Sequence, residues 1–296
     1  MVRKVKLILN PLAGRGRAEG ELAAALDELG KGGIHPDVVR TERHLHAVEL
    51  ARQARAEGYE IILAMGGDGT TNEVLNGLLS GYAGEAVGTL GVVPVGSGND
   101  FCAAIDWPSE VRAACQRIAR GERRLIDVAR LNDRYFGNGV GVGFDAIANI
   151  EAARIRFLRG MPLYLVAVLR TLLLRYGAPL TRITCDELTF EQPLLMASVT
   201  NGPRYGGGFW VTPAARPDDG YLDFLTAGYV SRLRILALLP HFMKGTHVGR
   251  RPIEMRRGRH IVLESDAELY AHVDGEIYSA KRLDFQILPS ALWVLR

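Results

Sequence analysis

Cysteine is scarce: Cys102, Cys115 and Cys185 are the only three in 296 residues, odd in number and scattered, with no C-x-x-C and no histidine-rich neighbour. No disulfide framework or zinc site is indicated, and a reducing cytoplasm is the compartment expected. An excess of one charge is missing too. Thirty-six basic against thirty-three acidic residues leave +3, too little for a nucleic-acid-binding domain and only a modest lean towards anionic partners. Long apolar runs are absent. Leu7-Ile8-Leu9 is too short for a signal-peptide core, and the stretch from Met161 to Leu174 is interrupted by Arg170 and falls short of the ~20 residues a spanning helix needs. Neither a secretion signal nor an integral membrane segment is expected. Internal repeats, low-complexity linkers and both standard nucleotide fingerprints, G-x-x-x-x-G-K-[ST] and G-x-G-x-x-G with a following ribose carboxylate, are also lacking.

What remains is ordinary globular composition, 48% hydrophobic and 23% charged with a mean hydropathy of +0.04, in a chain long enough for two domains at about 150 residues each. Glycine is the exception. Its 34 residues concentrate in loops that follow apolar runs, where backbones approach ligands. The first part alternates strand-like runs (Val5-Asn10, Val38-Thr41, Glu60-Met65, Thr89-Val95) with helix-like segments (Arg17-Leu29, Leu45-Glu57, Thr71-Leu79, Pro108-Ala119). That order predicts a doubly wound α/β domain over 1–124 with a parallel sheet covered on both faces and ligands beyond its carboxyl ends. After Gly121-Glu122-Arg123-Arg124 the runs shorten, which predicts a mostly antiparallel second domain over 125–287. Two helices are embedded there, roughly Asp145 to Arg175 with a break near Gly160-Met161-Pro162, and roughly Arg232 to Lys244. The last run, Ala291 to Leu295, is placed with the first domain, so that 288–296 completes it.

Three strand ends of the first domain open into glycine- or turn-rich loops: Asn10-Pro11-Leu12-Ala13-Gly14-Arg15-Gly16, Gly66-Gly67-Asp68-Gly69-Thr70, and Pro94-Val95-Gly96-Ser97-Gly98-Asn99-Asp100. A helix starting at Thr71 would aim free N–H groups and its positive dipole end at a phosphate, and a nucleotide triphosphate suits the site. Each loop taken singly is equally well read as a tight βα turn; three at one sheet edge favour a ligand. Arg15 and Arg17 stand beside the first loop, as phosphate partners or as solvated side chains.

These stretches resemble the motifs of the diacylglycerol kinase catalytic-domain family, which includes bacterial lipid kinases and sphingosine kinases. The resemblance rests on Asn10-Pro11 with Gly14, the run Gly66-Gly67-Asp68-Gly69-Thr70-Thr71-Asn72-Glu73-Val74, and Gly96-Ser97-Gly98-Asn99-Asp100-Phe101. It continues through Gly137-Asn138-Gly139-Val140-Gly141-Val142-Gly143-Phe144-Asp145, Thr200-Asn201-Gly202, Pro217-Asp218-Asp219-Gly220 and Asp274-Gly275-Glu276, in family order over nearly the whole chain. Gly-Gly-Asp-Gly alone also occurs in NAD kinases and phosphofructokinase-like enzymes. The resemblance implies an NAD-kinase/phosphofructokinase-like nucleotide-binding domain followed by a β-sandwich-like domain, with adenine between them. Asn10, Pro11, Leu12, Ala13, Gly14, Thr41, Gly66, Gly67, Asp68, Gly69, Thr70, Thr71, Asn72 and Ser97 would line an ATP site. Thr41 reads equally as a capping hydroxyl before the next helix.

Phosphoryl transfer needs magnesium on the phosphates and a carboxylate near the acceptor hydroxyl. Asp68 is assigned to the magnesium–ATP network. Asp100 is either a site carboxylate or the N-cap of the turn that follows. Asp274 and Glu276 are, by the resemblance, the general base and its partner in an order left open; the residues alone read as an Asp-Gly hairpin. In bacterial members a turn equivalent to Arg216-Pro217-Asp218-Asp219-Gly220-Tyr221 holds a structural Mg2+, here through Asp219 and the carbonyls of Arg216 and Tyr221; an ion-free Asp-Gly turn is the alternative. Between Asp145 and Tyr176, Met161, Leu163, Tyr164, Leu165, Val168, Leu169, Leu172 and Leu173 accompany Arg154, Arg156, Arg159, Arg170 and Arg175. This pattern fits an interfacial helix on anionic lipid or, more commonly, a buried core helix with snorkelling arginines. Arg250, Arg251, Arg256, Arg257 and Arg259 face the same membrane or water.

The resulting expectation is an ATP- and Mg2+-dependent cytoplasmic kinase of a membrane lipid such as diacylglycerol, peripherally attached, with no nucleic-acid partner and a homodimer left open. A kinase of a soluble metabolite such as NAD and a nucleotide-gated lipid-binding regulator are the alternatives.

Overall fold

The computed structural model describes residues 4–155, 160–274 and 276–296, the side chains at 160–162 and 164 excepted. Arg156, Arg159 and the side chains of Met161 and Tyr164 therefore lie outside the described residues. Strands β1 (Val5–Leu9), β2 (Asp37–Arg40), β3 (Ile61–Gly66) and β4 (Val87–Pro94) form a parallel sheet in the order β4-β3-β1-β2. All of β3 is buried, as expected when helices cover both faces. Those helices are α1 (Arg17–Lys31), α2 (His46–Ala56), α3 (Asp68–Leu78), the short α4 (Asp100–Ala104) and α5 (Val111–Arg120). The buried positions of α1 are Ala18, Leu22, Ala25 and Leu29, spaced four, three and four along one helical stripe.

The second part comprises β5 (Arg123–Leu131), β6 (Arg134–Phe136), β7 (Gly139–Gly143), α6 (Phe144–Ala153), α7 (Gly160–Leu174), β8 (Leu180–Cys185), β9 (Leu188–Thr200), β10 (Arg204–Tyr205), β11 (Phe209–Trp210), β12 (Leu222–Gly228), α8 (Arg232–Lys244), β13 (Ile253–Gly258), β14 (His260–Val273) and β15 (Glu276–Leu295). Its strands pair antiparallel, and β14 turns directly into β15 with Val273 opposite Glu276. The end of β15 then lies parallel to β4, Leu292 on Val87 and Val294 on Leu90, so the last strand joins the antiparallel strands and the parallel ones into one continuous sheet.

This change of partner has a local cause. The pairing of β15 with β5 is interrupted between Leu288 and Leu292, where Ser290 takes φ 50°. The buried Asp127 carboxylate accepts the Ser290 N–H at 2.7 Å and the Gly220 N–H at 2.6 Å, so one side chain fixes the bulge and the 216–221 turn. The cores divide inside strands rather than in a linker: Ile126 and Val128 pack in the first core, Ala129 and Leu131 in the second.

Two local readings differ from the structure. Helix α3 begins at Asp68, not Thr71, because the extended Gly67 is its cap and the Thr71 hydroxyl closes back on the Gly67 carbonyl at 3.1 Å. Asp100 is not an N-cap. Asn99 occupies the cap position of α4 with φ 50°, which frees the Asp100 carboxylate for other partners.

Candidate active site

The loops after β1, β3 and β4 form one wall of a cleft of about 1000 Å³, and residues of the second part form the other. The loops are locked together where side chains are absent. A Cβ on Gly96 would stand 2.6 Å from the Gly67 Cα, and one on Gly14, at φ 58°, would stand 2.4 Å from the Val95 carbonyl oxygen. Asn10 ties the first loop to the first turn of α3, its amide donating to the Thr70 hydroxyl at 3.0 Å. The open N–H groups of that turn and its positive dipole end suit a phosphate, and Arg15 and Arg17 line the same cleft. Gly67→Val, whose Cβ would meet the Gly96 Cα at 3.2 Å, is expected to push these loops apart and weaken ATP binding by about tenfold or more, equivalent to 1.4 kcal/mol. Equilibrium dialysis with ATP on a cooperatively folding variant checks this.

Three carboxylates face the cleft. Asp68 Oδ1 accepts the Phe101 N–H at 3.0 Å; burial, helped by the nearby Asp100 and Asp274 charges, pushes its carboxyl up to about 6. Asp100 accepts the Gly207 N–H at 2.8 Å and lies 3.5 Å from the Arg204 guanidinium, and burial raises it as well. Asp274 adopts φ 44° where β14 gives way to β15, and its carboxylate faces the cleft. Its Oδ1 accepts the Gly139 N–H at 2.9 Å, and its Oδ2 accepts the Asn72 amide at 2.6 Å and the Gly137 N–H at 3.2 Å. Burial nevertheless raises its pKa against these donors. Raised carboxylates of one sign in a polar cleft are the environment a divalent cation relieves. Asn138 Oδ1 is buried with no hydrogen-bond partner, and Asp100 Oδ1 has the Arg204 Nε at 3.5 Å but no hydrogen bond, so the oxygen ligands present fit a magnesium–nucleotide group.

Beyond this polar region lies an apolar cavity of about 90 Å³ between α6, α8 and the sheet, lined by Phe144, Leu195, Leu238 and Phe242 among others. It shares Asn149, Tyr205, Gly206 and Phe209 with the cleft.

Of the predicted nucleotide contacts, Asn10, Ala13, Gly14, Gly67, Asp68, Gly69, Thr70, Thr71, Asn72 and Ser97 line the cleft. Pro11, Leu12, Thr41 and Gly66 do not: Leu12 is 81% exposed, Thr41 donates its backbone N–H to Leu9, and a Cβ on Gly66 would collide with Thr70. Glu276 lies outside the cleft, 3.5 Å from His44 and 3.8 Å from Arg134. On the 216–221 turn, Asp219 accepts the Tyr221 N–H at 3.1 Å and pairs with Arg257. Sequence reasoning gave no role to Asn138, Arg204, Tyr205 or His272, all but Arg204 in the cleft wall. A signal existed for His272, a polar residue inside the apolar run Leu269-Val273.

A family model described as the diacylglycerol kinase catalytic domain matches residues 4–131, and one described as the YegS C-terminal NAD kinase beta sandwich-like domain matches residues 138–296. A diacylglycerol kinase of Mycobacterium tuberculosis is 30% identical over 302 residues, covering 100% of this chain and 96% of its own length. A "probable lipid kinase YegS-like" of Chromohalobacter salexigens is 31% identical over 288 residues, covering 97% and 91%. Among solved structures, a candidate diacylglycerol kinase from Bacillus anthracis superposes with a TM-score of 0.82 at 25% identity, covering 99% of this chain and 95% of that one.

Proposed function

The chain belongs to the diacylglycerol kinase family, and on that premise we propose that it transfers the γ-phosphate of ATP to a hydroxyl of a membrane lipid, diacylglycerol or a close relative. The observation that carries the lipid acceptor is the apolar cavity sharing a wall with the polar cleft. Its apolar lining offers room for the first methylenes of an acyl chain, whereas a soluble nucleotide acceptor would gain nothing there. The glycine loops and the first turn of α3 would hold the phosphates, and Asp68 and Asp100 would hold magnesium, which supplies charge neutralisation on the transferring group. Asp274, fixed by Asn72 and two backbone N–H groups, would accept the proton of the lipid hydroxyl. Arg204 would balance Asp100 when the cleft is filled.

No helix among the described residues is long and apolar enough to cross a membrane, so the lipid must be met at a surface. On α7, Leu165, Leu169 and Leu173, spaced four apart, are 44%, 45% and 73% exposed. Arg154, Arg170 and Arg175 converge on the single buried carboxylate of Glu151, leaving positive charge beside this leucine row. Apolar side chains edged with arginine suit an anionic membrane surface. Other basic residues are engaged elsewhere, Arg256 with Glu254 and Arg257 with Asp219.

The test is radiolabelled ATP incubated with mixed micelles of diacylglycerol, monoacylglycerol, sphingosine and ceramide, and separately with NAD. Label in a lipid supports the reading. Label in NAD, or ATP binding with no product, overturns it in favour of a metabolite kinase or a regulator.

Magnesium at the 216–221 turn is part of the same proposal. Among the described residues Asp218, Asp219 and Asp223 share only Arg124 and Arg257; the buried Asp223 Oδ2 lacks a hydrogen-bond partner, and burial pushes the carboxyl up to about 6. That excess of oxygen donors fits a hard cation, with Arg257 as its competitor for Asp219. Magnesium is expected to raise Tm of the wild-type protein by a few degrees, and Asp219→Ala to abolish the rise. Thermal melts with chelator or Mg2+ measure both.

A further inference from the structure

The wall between the cleft and the apolar cavity contains a buried pair that nucleotide binding does not use. His272 lines the cleft and Asp145 lines the cavity, joined Nε2 to Oδ2 at 2.8 Å and only 3% and 6% exposed. The fold makes room for this pair. Gly141 of β7 is directly opposite His272 on β14, and a Cβ there would stand 2.2 Å from Asp145 Oδ2 and 2.3 Å from His272 Nε2. The Tyr205 ring packs edge-on against the imidazole with centroids 4.9 Å apart, and its hydroxyl meets Ser198 at 2.7 Å. Burial acts to raise the Asp145 carboxyl, but the neighbouring His272 charge and hydrogen bonds from His272 and Tyr205 hold it below the usual carboxylate range.

A pair that served packing alone would have its polar atoms satisfied, since leaving one buried and unpaired costs free energy. Here the other ring nitrogen, His272 Nδ1, is buried with no hydrogen-bond partner. It can donate or accept according to the protonation of the ring. Asp145 fixes the ring through Nε2, so Nδ1 is presented in one orientation. The residue bearing it stands where a chain from the apolar cavity would meet the polar cleft.

We propose, building on the lipid-kinase reading above, that His272 contacts the acceptor lipid through Nδ1, hydrogen-bonding an oxygen at the junction of its chain and head, and that Asp145 is the positioning residue for that contact. The oxygen is the acceptor hydroxyl or the carbonyl of a neighbouring ester.

The test compares two variants that separate the two ring nitrogens. Gln places its terminal amide near the Nε2 position and can keep the partner on Asp145, whereas Asn places its amide near Nδ1 and gives up Asp145. His272→Gln is expected to raise KM for diacylglycerol about tenfold or more, with ATP KM and Tm near wild type. His272→Asn is expected to retain more lipid affinity than His272→Gln despite a lower Tm. A purely structural role predicts the reverse order, and that order, or an unchanged lipid KM in His272→Gln, would overturn the proposal. Should His272→Gln fail to fold, His272→Asn alone decides, because a lipid KM raised as far as in an Asp145→Leu variant would refute the Nδ1 contact. Dialkylglycerol, which lacks the carbonyls, identifies the oxygen. Equal losses on ester and ether acceptors assign the hydroxyl, and a loss confined to the ester assigns the carbonyl. If the wild type phosphorylates neither, the lipid-kinase reading itself fails, a result distinct from any ordering of the variants.

Discussion

Asp274→Asn is expected to lower lipid phosphorylation by about 10²–10⁴-fold, the usual worth of a positioned general base, while ATP affinity changes little. The substitution keeps the size of the side chain and removes its capacity to take a proton. Burial raises the wild-type carboxyl above its ordinary value, which makes the ionised group a stronger proton acceptor, and turnover should fall as acid protonates it. The variant also faces an amide NH₂ towards the N–H groups of Gly137 or Gly139, which now donate to the carboxylate. One buried donor left unpaired would cost roughly 1–3 kcal/mol of stability, so turnover is to be measured below the variant's melting range. Glu276→Gln provides the contrast. Its carboxylate stands with His44, Glu73 and Arg134 rather than in the cleft, and a change within about threefold is expected, the scale of a surface substitution of 0.5 kcal/mol or so. Single-turnover kinetics with diacylglycerol in mixed micelles separates these outcomes. Equal losses in both variants would return the base to an undivided Asp274–Glu276 pair, and full turnover in both would leave the hairpin as a structural turn.

Asp68→Asn is expected to act in two opposite directions. Turnover should fall by roughly 10²–10³-fold, the range seen when one preorganised electrostatic partner of the transition state is removed. The nucleotide-free protein should become more stable at neutral pH. Asp68 titrates at about 6 in the folded protein against 3.8 in its ordinary state, so the folded state binds the extra proton between those values. Its favourable contribution is therefore full below the lower value and is lost as pH rises through about 6. Moving this carboxyl from 3.8 to about 6 corresponds to ~3 kcal/mol, an upper scale for what Asn restores at pH 7.5. The Asn side-chain oxygen can still accept the Phe101 N–H, so no bond need be lost. Urea unfolding of both proteins at pH 4, 5, 6 and 7.5 without nucleotide should show a gap that opens with pH, and a constant gap would refute the assignment of the strain to this carboxyl. Storing destabilisation at a site that a bound cation relieves is a common cost of activity.

Read residue by residue, the chain determined its local organisation. Continuous Val, Ile and Leu runs followed by helical stripes dictated a parallel sheet covered on both faces, and the glycine loops after Leu9, Gly66 and Pro94 marked the edge where a phosphate could be held. Those signals are legible because strand and helix periods and glycine's freedom at positive φ are properties of neighbouring residues. The start of α3 at Asp68 and the release of Asp100 from a capping role were decided a few residues away, by Gly67 and Asn99. The rest depended on distance in sequence. Asn72 meets Asp274 across 202 positions, and Asp145 meets His272 across 127 only because β7 and β14 are paired with Gly141 at the contact. The passage of β15 from β14 to β4 rests on Asp127 holding Ser290. No local pattern specifies such pairings, since they follow from strand register. The altered acidity of Asp68, Asp100 and Asp274 follows in turn from desolvation, joined at Asp68 by the charges of the other two, and this exists only once the folded chain has excluded water from around them.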